Sequence, residues 1–260
     1  MAADRQTCDC LRANPLLLLL LALVLTSCGA SNPEAPGKIA LLAPFEGQYR
    51  EIGYNALYAV RLAFDDAEPH EVQLLAVDDG GGRASAVARI KALNLDPAVL
   101  AIIALGPDAT DSAAQMANDK PLILIGNWGQ DRADADSLYA ANQEQAKARG
   151  RGDLQLLNSA RGLADDSDSK SFVSSGAPPD EEFRERYLNS AQYTPAPNWL
   201  ATLTYDIARL ALAALADGKA ISNVEYHGLN GLIRFEDGYW VDAPLNRYRL
   251  EGDQLTLIVD

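Results

Sequence analysis

The residue types that carry most protein chemistry are sparse in this 260-residue chain and poorly spaced for it. Its two histidines, His70 and His227, stand far apart without metal-ligand spacing. Gly80-Gly81-Gly82 has the freedom of a phosphate-cradling loop, but no Lys-Ser or Lys-Thr follows, so it reads as a turn. Asp78-Asp79 and Asp165-Asp166 pair carboxylates, yet adjacent residues do not face each other, and both pairs read as solvated loops. Ser174 and Ser175 offer hydroxyls with no identifiable base. An enzyme needs a nucleophile with its base, or a paired acid and base. Neither is legible, so the chain reads as a non-enzyme with no cofactor and no metal.

One thiol stands out. Arg5 and Arg12 precede an apolar run over 16–25, which leads into Thr26-Ser27-Cys28. Basic residues, a short apolar stretch and small residues describe a signal peptide. The run falls short of the ~20 residues that span a bilayer as a helix. Leu25-Thr26-Ser27-Cys28 resembles the lipobox of bacterial lipoproteins, which implies cleavage before Cys28 and a diacylglycerol on its thiol. Residues 1–27 are then a lipoprotein signal peptide, and 28–37, containing SNPEAP, a tether. Cys8 and Cys10 are lost with the leader, leaving no internal disulfide and no thiolate nucleophile. The expected location is the extracytoplasmic face of a bacterial membrane or envelope, held by lipid alone. A net charge of −14 argues against nucleic acid and against unaided binding to anionic lipid.

The elements that must position any site follow a regular pattern. Apolar runs at 38–43, 72–77, 99–105 and 121–125 read as strands, and helical spacing marks 50–67, 84–95 and 110–118. Strands apolar throughout, alternating closely with helices, predict a mostly parallel α/β sheet with helices on both faces. Between 131 and 171 the periodicity fades: 133–149 reads as a surface helix, 154–157 as a strand and 164–171 as an acidic loop. Helices are expected again at 180–190 and 199–216, then strands at 231–235, 239–241, 246–250 and 254–259, the last two as a hairpin.

KIALLAPFEGQYREIG at 38–53 resembles the opening of type I periplasmic binding proteins, especially the branched-chain amino acid receptors of ABC transporters. AFDDA, DDGGG, ALGPDAT, FVSSGAPP, YDIARLALAAL and GLIRFED are similar to that family's later landmarks, in order. The resemblance implies a binding-protein lobe made of 38–130 and 172–235. It also implies a second lobe where only 131–171 and 236–260 remain, and 131–171 is shorter than the ~50 residues an independent lobe needs. A reduced second lobe puts the family's two-jaw closure in question.

In parallel sheets ligands sit beyond the carboxyl ends of the strands. Three loops emerge there, presenting Gln48 and Tyr49, Asp108 and Thr110, and Asn127 and Trp128. Family resemblance makes the turn at 108–110 a donor of a hydroxyl and N–H groups to a ligand carboxylate, with Thr110 at the hydroxyl position. A plainer reading makes Asp108 or Thr110 only a helix cap. Trp128 reads as stacking on a ligand or covering apolar surface, and Gln48 and Tyr49 as ligand contacts or ordinary loop residues. The expected function is a lipid-anchored receptor for a small solute, such as an amino acid or small carboxylate, delivering it to ABC-transporter membrane subunits. The alternative is an envelope scaffold or regulatory lipoprotein that docks another envelope protein.

Overall fold

The computed structural model describes residues 36–69, 71–129, 133, 136–140, 153–154, 157–158, 171–251 and 254–258. Strands β1 (Gly37–Ala43), β2 (Val72–Asp78), β3 (Val99–Leu105), β4 (Leu122–Ile125) and β5 (Leu138–Tyr139) form one sheet in the order β2-β1-β3-β4-β5. Every neighbouring pair is parallel. The helices are α1 (Arg50–Ala67), α2 (Arg83–Leu95), α3 (Ser112–Met116), α4 (Glu181–Asn189) and α5 (Trp199–Ala216).

Successive strand side chains point to opposite faces, and here both faces are covered. Ile39, Leu41, Ile103 and Ile123 join the core made with α1 and α5. Ala40, Leu42, Ile102 and Leu122 join the core made with α2 and α3. Continuously apolar strands are the consequence. Helix α5 is long and apolar enough to cross a membrane, but 78% of it is buried inside the protein, so it serves as a core helix. Asn198 caps it, accepting from the N–H groups of Leu200 at 2.9 Å and Ala201 at 3.3 Å. Asp180 caps α4 in the same way through the Phe183 N–H, at 2.7 Å.

The other described strands pair antiparallel. β6 (Ser171–Ser174) pairs with β11 (Asn246–Glu251), which pairs with β12 (Gln254–Ile258). β7 (Tyr226–Gly228) pairs with β8 (Gly231–Ile233), and β9 (Phe235–Glu236) with β10 (Tyr239–Trp240). The Ala140 N–H donates to Gly238 O and its carbonyl accepts from the Trp240 N–H, so the strand leaving β5 is stitched to the β9–β10 hairpin.

Several local expectations change. The described end of the surface helix expected over 133–149 is β5, because Leu138 and Tyr139 complete the otherwise open edge of β4. The strand expected over 154–157 is helical where described, at 153–154 and 157–158. The helix expected over 110–118 shrinks to Ser112–Met116, since Asp111 caps it by accepting from the Ala113 N–H at 2.9 Å. The acidic stretch 164–170 lies outside the described residues.

Candidate functional site

In the order β2-β1-β3-β4-β5 the connections reverse between β1 and β3, and a ligand crevice is expected beyond their carboxyl ends. The loop after β1 is held down hard. Gly53 on α1 lies beneath Pro44: a Cβ there would stand 1.9 Å from Pro44 O, so only glycine lets α1 approach this loop. The Phe45 N–H donates to Asp78 Oδ2 at 2.7 Å, which ties the loop after β1 to the end of β2. Gln48 is exposed and Tyr49 half-buried, both in the 3₁₀ turn Gly47–Tyr49 that leads into α1.

The turn after β3 is more inward than its sequence suggests. Thr110 is buried, its hydroxyl donating to Gly106 O at 2.7 Å and its N–H to the same carbonyl at 3.1 Å. The Asp111 N–H donates to Asp108 O, and Gln115 Nε2 donates to Thr110 O at 2.8 Å. Asp111, rather than Asp108 or Thr110, caps α3, and it also pairs with Arg83 at 3.1 Å. Asp108 stays half-exposed beside Asp79. Asp79 is not the solvated loop residue expected: it is buried, and its carboxyl is shifted up from the usual range. Burial is the largest cause, the Gly81 N–H opposes it, and the charges of Asp108 and Asp78 reinforce it.

After β4 the chain folds back on itself. Trp128 is buried in the apolar core, its indole N–H donating to Ile125 O at 2.8 Å. Asn127 is buried too, with Oδ1 accepting from the Gly129 N–H at 3.1 Å. What fixes this turn is Asp153, a residue absent from the sequence expectations. Fully buried, it accepts from the Asn127 N–H at 2.6 Å, the Ser174 hydroxyl at 2.6 Å and the Trp199 indole N–H at 2.9 Å. Ser174 is therefore a buried donor to a carboxylate that joins β6 to the parallel sheet. His70, Asp165 and Asp166 lie outside the described residues. Among the described residues no three His, Cys, Asp or Glu side chains gather as a metal site would require.

Among the described residues, one concavity lies at the end of β4 and another along α1. The first, of about 20 Å³, is lined by Ile125, Gly126, Leu203, Phe235 and Trp240 and has room for a single water. The other is an open groove of about 480 Å³ walled by Arg50, Glu51, Tyr54, Tyr58, Tyr193 and Pro195. Asn55, buried on α1, fixes its walls: its carbonyl accepts from Tyr187 OH at 3.0 Å and its Oδ1 from the Asn198 N–H at 3.1 Å. The tyrosines at four-residue spacing in α1 were the available sequence signal for this groove, which begins one residue beyond Tyr49.

No protein-family model and no curated protein sequence matches the chain. Solved structures do. An extracellular ligand binding receptor from Desulfohalobium retbaense superposes with a TM-score of 0.64 at 13% identity, over 85% of this chain and 59% of that one. The branched-chain amino acid transporter substrate binding protein LivJ from Streptococcus pneumoniae, in complex with isoleucine, gives 0.60 at 14% identity over 86% and 99%. A solute binding protein of an R. palustris ABC transporter, in complex with benzoate, gives 0.60 at 11% identity over 86% and 95%. The chain thus spans less than two thirds of the first of these receptors. It has the type I periplasmic-binding-protein fold, an α/β fold with a mostly parallel sheet.

Proposed function

We propose that this chain is a non-catalytic, lipid-anchored solute-binding protein that delivers its solute to the membrane subunits of an ABC importer. The observation that carries this reading is the fold, a β2-β1-β3-β4-β5 sheet superposing on receptors whose bound molecules are isoleucine and benzoate. The solute docks on the strand-end edge, where Gln48, Tyr49 and Asp108 touch it. Thr110, Asn127 and Trp128 act from behind, holding the turns through their internal hydrogen bonds. An amino acid suits this edge better than a simple carboxylate, because the half-exposed carboxylate of Asp108 favours a solute that carries an ammonium group. The lobe is 38–130 with 172–235, the second lobe is reduced, and Cys28 holds the protein on the extracytoplasmic face.

Isothermal titration against amino acids and small carboxylates tests the reading. One compound is expected to bind, and Tyr49→Ala is expected to weaken it about tenfold, some 1.4 kcal/mol. Equal affinity in Tyr49→Ala would remove this edge as the site. A second reading, an envelope scaffold that docks another protein, is favoured by the inward, internally bonded state of Thr110, Asn127 and Trp128. Absence of binding to every solute would decide for it. The anchor is tested separately: a labelled fatty acid is expected on the wild type and not on Cys28→Ala, and label persisting on the variant sinks it.

A further inference from the structure

The end of the sheet opposite the candidate site exposes three large apolar side chains. Leu95, the last residue of α2, is 84% exposed, and Met116, the last residue of α3, is 79% exposed. The two helix ends stand together, because Asn94 Nδ2 donates to Ala117 O at 2.8 Å. Leu100, at the start of β3, adds a third apolar side chain at 38% exposure and lies over Gly37, the first residue of β1. Single exposed apolar residues are ordinary, but neighbouring ones at one end of a molecule mark a contact surface.

Charge and chain length say what the contact is. The whole chain carries −14, and three of its six lysines are at this end. Lys38 and Lys120 converge on the turn after α2, bonding Asp96 Oδ2 at 2.8 Å and Asp96 O at 2.9 Å. Lys91 lies one turn before Leu95 on the same helix face. Asp96, Asp119, Glu71 and Asp136 stand at the same end, so the lysines offset much of the negative charge that would otherwise hold it off an anionic surface. Only residues 29–36 separate Cys28 from Gly37, a span of at most about 30 Å at ~3.3–3.6 Å per residue.

We infer that Leu95, Met116 and Leu100 form a membrane-resting face that lies against the lipid headgroup region and turns the strand-end edge away from the bilayer. The inference rests on Cys28 being the lipid anchor. Burial of apolar side chains in the interface then acts on a chain already held there by its lipid, as a second, orienting contact.

The test uses the full chain, processed in a bacterium and reconstituted in vesicles of phosphatidylethanolamine and phosphatidylglycerol. Leu95→Cys, Met116→Cys and Tyr193→Cys are each labelled with an environment-sensitive dye, and the vesicles carry a nitroxide at headgroup depth. Labels at 95 and 116 are expected to shift to the blue and lose most of their emission to the nitroxide, while the label at 193 keeps its own. No quenching at 95 and 116, or equal quenching at all three, would overturn the assignment. A blue shift that grows with protein density but ignores the nitroxide would give the face to a second copy and overturn it as well. Fatty-acid labelling of the same preparation separates the two ideas. Label without quenching sinks the membrane-resting face alone; no label sinks the anchor and the face together.

Discussion

Replacing Asp153 by alanine should lower the melting temperature by roughly 6–12 °C, since stranding its buried partners costs about 3 kcal/mol and each kcal/mol moves a domain of this size by ~2–4 °C. Three donors lose their acceptor at once: the Asn127 N–H, the Ser174 hydroxyl and the Trp199 indole N–H. They sit on the turn after β4, on β6 and at the start of α5, so one side chain clamps the parallel sheet to the antiparallel part. The expected change is largest around Trp128 and Trp199, and tryptophan emission should move to the red before global unfolding. Asp153→Asn keeps one accepting oxygen and should fall between wild type and alanine. A thermal melt of Asp153→Ala within about 2 °C of wild type, less than the shift for 1 kcal/mol, would show that the clamp contributes little.

Gly228→Ala should destabilise by a similar amount, about 3 kcal/mol, by overpacking and by displacing a buried carboxylate from its donors. A Cβ at position 228 would stand 2.2 Å from Asp206 Oδ1. Asp206, buried on α5, accepts from the Leu229 N–H at 3.1 Å, the Asn230 N–H at 2.8 Å and Asn230 Nδ2 at 2.7 Å. Asn230 in turn accepts from the Ala177 N–H at 2.6 Å, so displacing the carboxylate loosens the β7–β8 turn and the segment after β6 together. Asp206 also gives a pH signature. Burial raises its pKa from the ordinary 3.8, against the opposing pull of its hydrogen bonds to Asn230 and Leu229. The native protein therefore holds this proton to higher pH than the unfolded chain. Its contribution to stability is complete below the ordinary carboxyl value and declines as pH rises from there through the raised value. The destabilisation caused by Asp206→Ala should accordingly shrink as pH rises through that window, measured as urea midpoints of both proteins. A penalty that grows with pH would contradict the sign of the shift.

Some of this was open to reading before any coordinates. Helices Arg50–Ala67 and Trp199–Ala216 and strand Val99–Leu105 lie where their spacing places them, because amphipathic periodicity and strand-ending Gly-Pro are local signals. The parallel α/β class followed from strands apolar on both faces. The pairing of β6 with β11 was not legible, since Phe172 and Val173 are as apolar as a parallel strand and their partners lie some seventy residues away. Nor was β5, whose Leu138 and Tyr139 are too few for any periodicity.

The site divides along the same line. Which residues stand near the strand ends was set by the sequence itself, through the positions at which apolar runs stop: Gln48 and Tyr49 after β1, Asp108 and Thr110 after β3, Asn127 and Trp128 after β4. Which way their side chains turn was decided only in three dimensions. Thr110 spends its hydroxyl on Gly106 four residues back, and Trp128 lies over Gly126, both outcomes of how each turn closes. Asp153 gathers partners 21, 26 and 46 residues away, and the groove needs α1 beside the segment after α4. Backbone periodicity is a property of neighbours along the chain, whereas the satisfaction of a buried polar group depends on whatever the fold brings beside it.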